Sequence, residues 1–229
     1  GVVSAGAEPE SKLRILCLHG YTQSATYFSA RTGALRKACK SIADFSFVDA
    51  PHEADALFLE KQKEETKRHN TSYLAWWNME DRSSRPSIAL RYTGARHSLD
   101  VLKTHLDENG PYDGVFGFSQ GASAAALLCA KYPSSFRFAV LVSGFVPRDE
   151  ELAHMLRKAQ AKEKGIQMLR SLHVFGANDT LVLPERSREL AGFFGDSAET
   201  HQHTGGHFVP SGVEFRKKLK EFLSDVHLD

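Results

Sequence analysis

The sequence predicts an α/β domain: a mostly parallel, doubly wound six-stranded sheet with helices on both faces. Three observations carry this expectation. Short apolar runs bounded by turn residues alternate with longer helical stretches, the pattern of a parallel sheet wound by crossover helices. One run, Asp113-Gly114-Val115-Phe116, leads into Gly117-Phe118-Ser119-Gln120-Gly121 and then into the Ala-rich stretch from Ala122 to Ala130, so a strand, a sharp turn and a helix follow in close succession. A chain of 229 residues also suffices for one domain, and at that size folding buries about 70% of the surface an unfolded chain exposes.

Residues 1–11 read as a disordered lead-in, and 12–229 as a single domain with an insertion at about 51–86. The apolar segment Leu13 to His19 gives the first strand, over 13–19, and a helix follows near 27–40. A second strand covers 44–49, and beyond the insertion a helix runs near 88–108. The third strand is 113–118, followed by the helix at 121–131. Strands at 138–143, 171–176 and 198–203 complete the sheet, with helices near 184–194 and 212–224. No repeat or low-complexity segment interrupts them.

A serine on so tight a turn leaves no room for side chains beside it, so glycine flanks it on both sides while Ser119 Oγ points out above the sheet edge. This is the nucleophile elbow of an α/β-hydrolase. The first strand already ends in the loop beside the elbow, so the antiparallel hairpin that begins larger members of the fold is missing and the sheet is minimal. A serine hydroxyl is a poor nucleophile at neutral pH; it requires a histidine to take its proton and a carboxylate to orient that histidine, in the chain order Ser, acid, His. Ser171 to Gly176 reads as a buried strand, and the turn Ala177-Asn178-Asp179-Thr180 sets Asp179 at its carboxyl end. The glycine-hinged loop Thr204 to Pro210 can swing His207 back over the sheet. Asp149, near the end of the preceding strand, and Asp196, in the polar turn Gly195-Asp196-Ser197, are the alternative acids; position favours Asp179.

Eleven histidines leave many bystanders. His201, His203 and His207 form an H-x-H-x-x-x-H spacing that could hold zinc, but no Asp or Cys accompanies it and His207 has a better role as base. Donors for an oxyanion are expected from the backbone N–H groups of Gln120, after the nucleophile, and Tyr21, in the loop after the first strand. His19 supports that loop by hydrogen bonding. The segment from Pro51 to Pro86 exceeds an ordinary connection. It carries the apolar Ala56 to Leu59, a charged run from Glu60 to Arg68 that reads as a solvated helical face, and Tyr73-Leu74-Ala75-Trp76-Trp77-Asn78-Met79. Trp76 and Trp77 either wall an acyl pocket, Trp77 ahead of Trp76, or anchor the insertion to the core. Phe145 and Val182, just past strand ends, are further wall candidates.

Together, Leu-His-Gly-Tyr-Thr-Gln-Ser at 18–24, Gly-Phe-Ser-Gln-Gly at 117–121, Leu-Val-Ser-Gly-Phe at 141–145, His-Val-Phe-Gly at 173–176 with Asp179, and Gly-Gly-His-Phe-Val-Pro at 205–210 resemble the FSH group of serine hydrolases. That group includes yeast serine hydrolases, a human tumour-suppressor-candidate esterase and fungal polyketide thioesterases. The resemblance runs from residue 13 to about 225. It implies a compact cytosolic carboxylesterase or thioesterase with Ser119, Asp179 and His207 as triad. Acyl-serine chemistry needs no cofactor, and an acyl wall built by Trp76 and Trp77 would favour small-molecule esters or thioesters of medium to long acyl chains. Acyl-protein thioesterases share the elbow but look less similar around Asp179 and His207.

A net charge of +1 offers no electrostatic footprint for nucleic acid or anionic membrane. The three cysteines, Cys17, Cys39 and Cys129, fall in predicted strand and helices, which suggests buried thiols in a reducing compartment. No signal-peptide pattern or run of eighteen apolar residues is visible, so the cytoplasm is expected. A catalytically silent hydrolase scaffold that binds a ligand or protein is the reading from another class. It would require loss of a triad member, and all three are present. Lysophospholipase, peptidase and acyl-protein thioesterase chemistry share the same machinery.

Overall fold

The computed structural model of the protein describes residues 11–55, 73–81, 85–162 and 165–228. The lead-in up to residue 10, the apolar start of the insertion and its charged run Glu60 to Arg68 lie outside the described residues.

The main sheet contains β1 (Leu13–Leu18) and β2 (Ala43–Val48). Two short antiparallel ladders follow, β3 (His52–Glu53) with β4 (Leu74–Ala75) inside the insertion and β5 (Asn78–Met79) with β6 (Tyr92–Thr93), the last just beyond it. The sheet is completed by β7 (Gly114–Phe118), β8 (Phe138–Val142), β9 (Arg170–Gly176) and β10 (Ala198–His203). Its order is β10-β9-β8-β7-β1-β2, every pair parallel. All six expected strands are present. They were readable because the inner strands are buried on both faces, leaving near-continuous apolar runs: every residue of Phe138-Ala139-Val140-Leu141-Val142 is buried.

Strand alternation divides these residues between two cores. Leu16, Leu18, Val115, Ala139 and Leu141 face one layer, and Ile15, Cys17, Phe116, Phe138, Val140 and Val142 face the other. The helices are α1 (Ala25–Arg31), α2 (Gly33–Cys39), α3 (Ala95–Asn109), α4 (Gln120–Lys131), α5 (Glu150–Gln160), α6 (Pro184–Gly192) and α7 (Val213–Leu228). The second core takes Phe28 of α1, Leu35 of α2 and Phe215, Leu219 and Phe222 of α7. The first takes Leu99 of α3, Leu127 of α4, Leu156 of α5 and Leu190 of α6. Each such fully buried Leu or Phe contributes about 1.5–3 kcal/mol.

Three helical expectations differ from the structure. The helix expected over 27–40 is two, broken at Thr32, whose Oγ1 donates to the Phe28 carbonyl at 2.8 Å instead of pointing outward. The helix expected from 88 begins at Ala95, because β6 pairs Tyr92 and Thr93 and Gly94 adopts φ +91°, outside the helical region. Helix α5 was not expected at all. Its start carries a signal nonetheless: Asp149 Oδ1 accepts from the N–H groups of Glu151 at 3.1 Å and Leu152 at 3.3 Å, and Leu152, Ala153, Leu156 and Ala159 bury one stripe.

Candidate active site

Ser119 joins β7 to α4 with φ +54° and ψ −119°, a conformation costing a residue with a side chain on the order of 1–3 kcal/mol. Neighbours over-determine it. Its N–H donates to the Val142 carbonyl at 2.8 Å, and its carbonyl accepts from Ala122 at 3.0 Å and Ser123 at 3.1 Å. Close approach explains the two flanking glycines. A Cβ on Gly117 would lie 2.5 Å from the Gly121 oxygen, and one on Gly121 would lie 2.2 Å from the Leu18 oxygen and 2.3 Å from that of His19. The second contact seats the start of α4 directly on the loop after β1.

Asp179 follows the carboxyl end of β9. Its Oδ1 accepts from the Leu181 and Val182 N–H groups, both at 2.9 Å, an Asx turn that fixes the carboxylate. The other oxygen, Oδ2, is 2.7 Å from His207 Nδ1. Burial pushes the Asp179 carboxyl up, but the bond to His207, the charge of that ring and the two amides outweigh it and hold the group below its ordinary value.

The loop carrying His207 is tied to the acid turn. Ala177 N–H donates to the His203 carbonyl at 2.7 Å, Asn178 N–H to Gly205 at 3.0 Å, and Asn178 Nδ2 to Thr204 at 2.7 Å. His203 Nδ1 accepts from Gly205 N–H at 3.2 Å. With the ring 5.0 Å from that of Phe118, His207 Nε2 comes to 2.9 Å from Ser119 Oγ. The structure thus brings Ser119, His207 and Asp179 into one hydrogen-bonded line.

Gln120 is the first residue of α4, so its N–H is among those with no acceptor inside the helix, at the positive end of the dipole. On the facing loop, His19 is buried with both ring nitrogens engaged: Nδ1–H donates to the Gly20 carbonyl at 2.8 Å and Nε2 accepts from Ala50 N–H at 3.0 Å. Burial lowers its pKa to about 4 despite the Gly20 bond and Asp49. The ring is therefore a neutral strut under the loop that carries Tyr21.

The remaining candidates lie elsewhere. Asp149 caps α5 and Asp196 sits in the short turn Gly195–Ser197. His201 packs on Phe215, ring centroids 5.4 Å apart, and among the described residues no cluster of three or more His, Cys, Asp or Glu has metal-binding geometry. The pocket-wall expectation is corrected for Trp76, Trp77, Phe145 and Val182: their exposures are 0%, 0%, 1% and 2%, so none lines an open cleft. The tryptophans follow the anchoring alternative. Trp76 Nε1 donates to the His19 carbonyl at 2.8 Å, and Trp77 packs on Tyr92, centroids 5.6 Å apart. Phe145 is held through its backbone by Ser123 Oγ, at 2.7 and 3.1 Å. Exposed apolar side chains stand instead on the acid and base loops, namely Leu181 (48%), Leu183 (51%) and Phe208 (46%). Sequence reasoning missed these, although apolar residues placed directly after an acid or a base are a readable signal.

A sequence model described as serine hydrolase (FSH1) matches residues 8–219. The chain belongs to this serine hydrolase family. It is 36% identical to the zebrafish (Danio rerio) protein named esterase OVCA2, across 92% of this chain and 96% of that one. It is 34% identical to the human esterase OVCA2, across 92% and 95%. In fold, this FSH1-family chain is similar to esterase PE8, with a TM-score of 0.70 at 20% identity over 94% of this chain and 93% of that one. It is also similar to maize (Zea mays) acyl-protein thioesterase 2, TM-score 0.65 at 19% identity over 96% and 97%.

Proposed function

We propose that this serine hydrolase cleaves carboxylic esters or thioesters of medium to long acyl chains, with Ser119 as nucleophile, His207 as general base and acid, and Asp179 as the orienting carboxylate. The observation that carries the reading is the continuous line from Asp179 Oδ2 through His207 to Ser119 Oγ, with spacings of 2.7 and 2.9 Å. Asp179 keeps the proton on Nδ1, so Nε2 is left as acceptor for the serine hydroxyl proton. Ser119 Oγ attacks the acyl carbon, and His207 takes that proton. The oxyanion receives the N–H groups of Tyr21 and Gln120. Collapse expels the alcohol or thiol, which leaves with the proton from His207. Water then attacks the acyl-serine through the same base, releasing the acid and restoring the hydroxyl. Each step is balanced by protein groups and water.

The names of the relatives, both esterases, support the substrate class. Leu181, Leu183 and Phe208 offer exposed apolar surface on the loops that follow Asp179 and carry His207, which supports recognition of an extended chain. Cys17, Cys39 and Cys129 are buried and unpaired, consistent with a cytoplasmic enzyme, and no helix among the described residues is long and apolar enough to cross a membrane. A fluorophosphonate probe followed by peptide mass mapping tests the assignment. One phosphonyl group is expected on Ser119, and Ser119→Ala should lose turnover of p-nitrophenyl esters by about 10⁴ or more. Labelling of a different serine, or normal turnover in that variant, overturns it.

A further inference from the structure

The two proposed oxyanion donors belong to separate parts of the chain: Tyr21 follows β1, whereas Gln120 begins α4. Such donors must sit 2.7–3.1 Å from the developing oxyanion, so something must fix the gap between them. The insertion segment from Leu74 to Asn78 touches both sides. Toward the first loop, Thr22 N–H donates to the Leu74 carbonyl at 2.9 Å and Leu74 N–H to the Gln23 carbonyl at 3.0 Å. Trp76 Nε1 donates to the His19 carbonyl at 2.8 Å, and the Tyr21 hydroxyl donates to Asn78 Oδ1 at 3.1 Å. Toward the elbow, the buried Gln120 side chain bonds the bend between β4 and β5: Oε1 accepts from Trp76 N–H at 2.9 Å and Nε2 donates to the Trp77 carbonyl at 2.8 Å. Ser98 Oγ of α3 ties the Trp76 carbonyl from behind.

We infer that Leu74–Asn78 is a strap that sets the spacing of the Tyr21 and Gln120 amides, with the Trp76 indole and the Gln120 side-chain amide as positioning residues for the oxyanion hole. This rests on the acyl-serine reading above and adds a role for the paired tryptophans beyond anchorage. An anchor alone needs only apolar area. Here the indole N–H is spent on the loop that carries Tyr21 and both ends of the Gln120 amide are spent on the backbone of the strap, so the cross-links run in both directions from the Trp76-Trp77 dipeptide.

Trp76→Phe keeps an aromatic ring and removes the bond to the His19 carbonyl together with part of the indole's buried volume. Gln120→Glu keeps the acceptor for Trp76 N–H and the backbone amide, but sets an oxygen against the Trp77 carbonyl. Each is expected to lower kcat on p-nitrophenyl butyrate by about 10- to 100-fold with KM within about twofold, and to weaken a trifluoromethyl ketone, which forms a tetrahedral adduct, by the same factor as kcat/KM. Phe222→Leu, a core truncation in α7 on the opposite layer, should lower the melting temperature without moving kcat. Wild-type kcat in both strap variants overturns the inference. So does a kcat loss without the matching loss of ketone affinity, or an equal kcat loss in Phe222→Leu, since either marks general destabilisation. Should Trp76→Phe fail to fold, Gln120→Glu carries the test. Activity surviving in Ser119→Ala would instead defeat the hydrolase reading, independently of the strap.

Discussion

Within single residues, hydrogen-bond commitments decide which atom is left to act. Asp179 Oδ1 is committed to two backbone amides, so only Oδ2 is left for His207. In Asp179→Asn the amide oxygen keeps those bonds and the NH₂ group turns to Nδ1, which must then accept, moving the ring proton to Nε2, where it can no longer receive the serine proton. A loss of about 10³ to 10⁴ in kcat with little change in KM is expected, measured by steady-state kinetics on one ester. Two other histidines make the fold acid-sensitive. Burial lowers His19 to about 4, against the opposing Gly20 bond and Asp49, and lowers His173 to about 3. Both values lie below that of an unfolded histidine, about 6.5. Unfolding therefore takes up protons as pH falls below that value, and stability present at neutral pH is lost. Between about pH 6 and 4.5 the two together contribute a slope of roughly 2 kcal/mol per pH unit. Urea midpoints across that range should fall accordingly, and His173→Leu should halve this share of the slope; an unchanged slope would refute the assignment. The meeting of Ser119, Asp179 and His207 was legible in sequence because each stands in a short pattern just past a strand end. The tryptophans were ambiguous because a large ring serves a wall or an anchor equally well, and the deciding partners, His19 and Gln120, are remote in sequence.

Among elements, legibility followed burial. The four inner strands of the main sheet announce themselves because apolar runs on both faces leave little choice, and the edge strand β10 by its alternation, whereas β3 to β6 are two-residue strands with no periodicity to detect. Helix α5 shows how a functional suspicion can hide a structural role, for Asp149 draws attention as a candidate acid while its carboxylate caps the helix behind it. The division of labour gives a clean test. Asp149→Ala should cost about 1 kcal/mol of stability, as loss of a helix cap does, and leave kcat at the wild-type level. A kcat loss comparable to that of Asp179→Asn would reopen the choice of acid.

For the molecule as a whole, the parallel sheet sends every proposed catalytic group to one edge, because the loops after β1, β7, β9 and β10 all leave from the carboxyl ends of their strands. Substrate choice then belongs to side chains on those loops. If Leu181, Leu183 and Phe208 receive the acyl chain, p-nitrophenyl esters of increasing length should gain in kcat/KM by up to about fourfold per methylene, following roughly 0.8 kcal/mol each, until the apolar surface ends. Leu183→Ser and Phe208→Ser should flatten that profile while sparing the acetyl ester; a uniform loss at all lengths would argue against an acyl-binding role. The sheet order has one more consequence, for synthesis. Ser119 follows a central strand, but the proposed base, His207, follows β10, an edge strand that pairs only with β9. With the proposed triad, a chain emerging from the ribosome completes its elbow and most of its core while chemically inert. It is expected to cleave an acyl bond only once residue 207 has cleared the ribosome and the edge strand has docked, so activity on a nascent chain would report completion of the sheet.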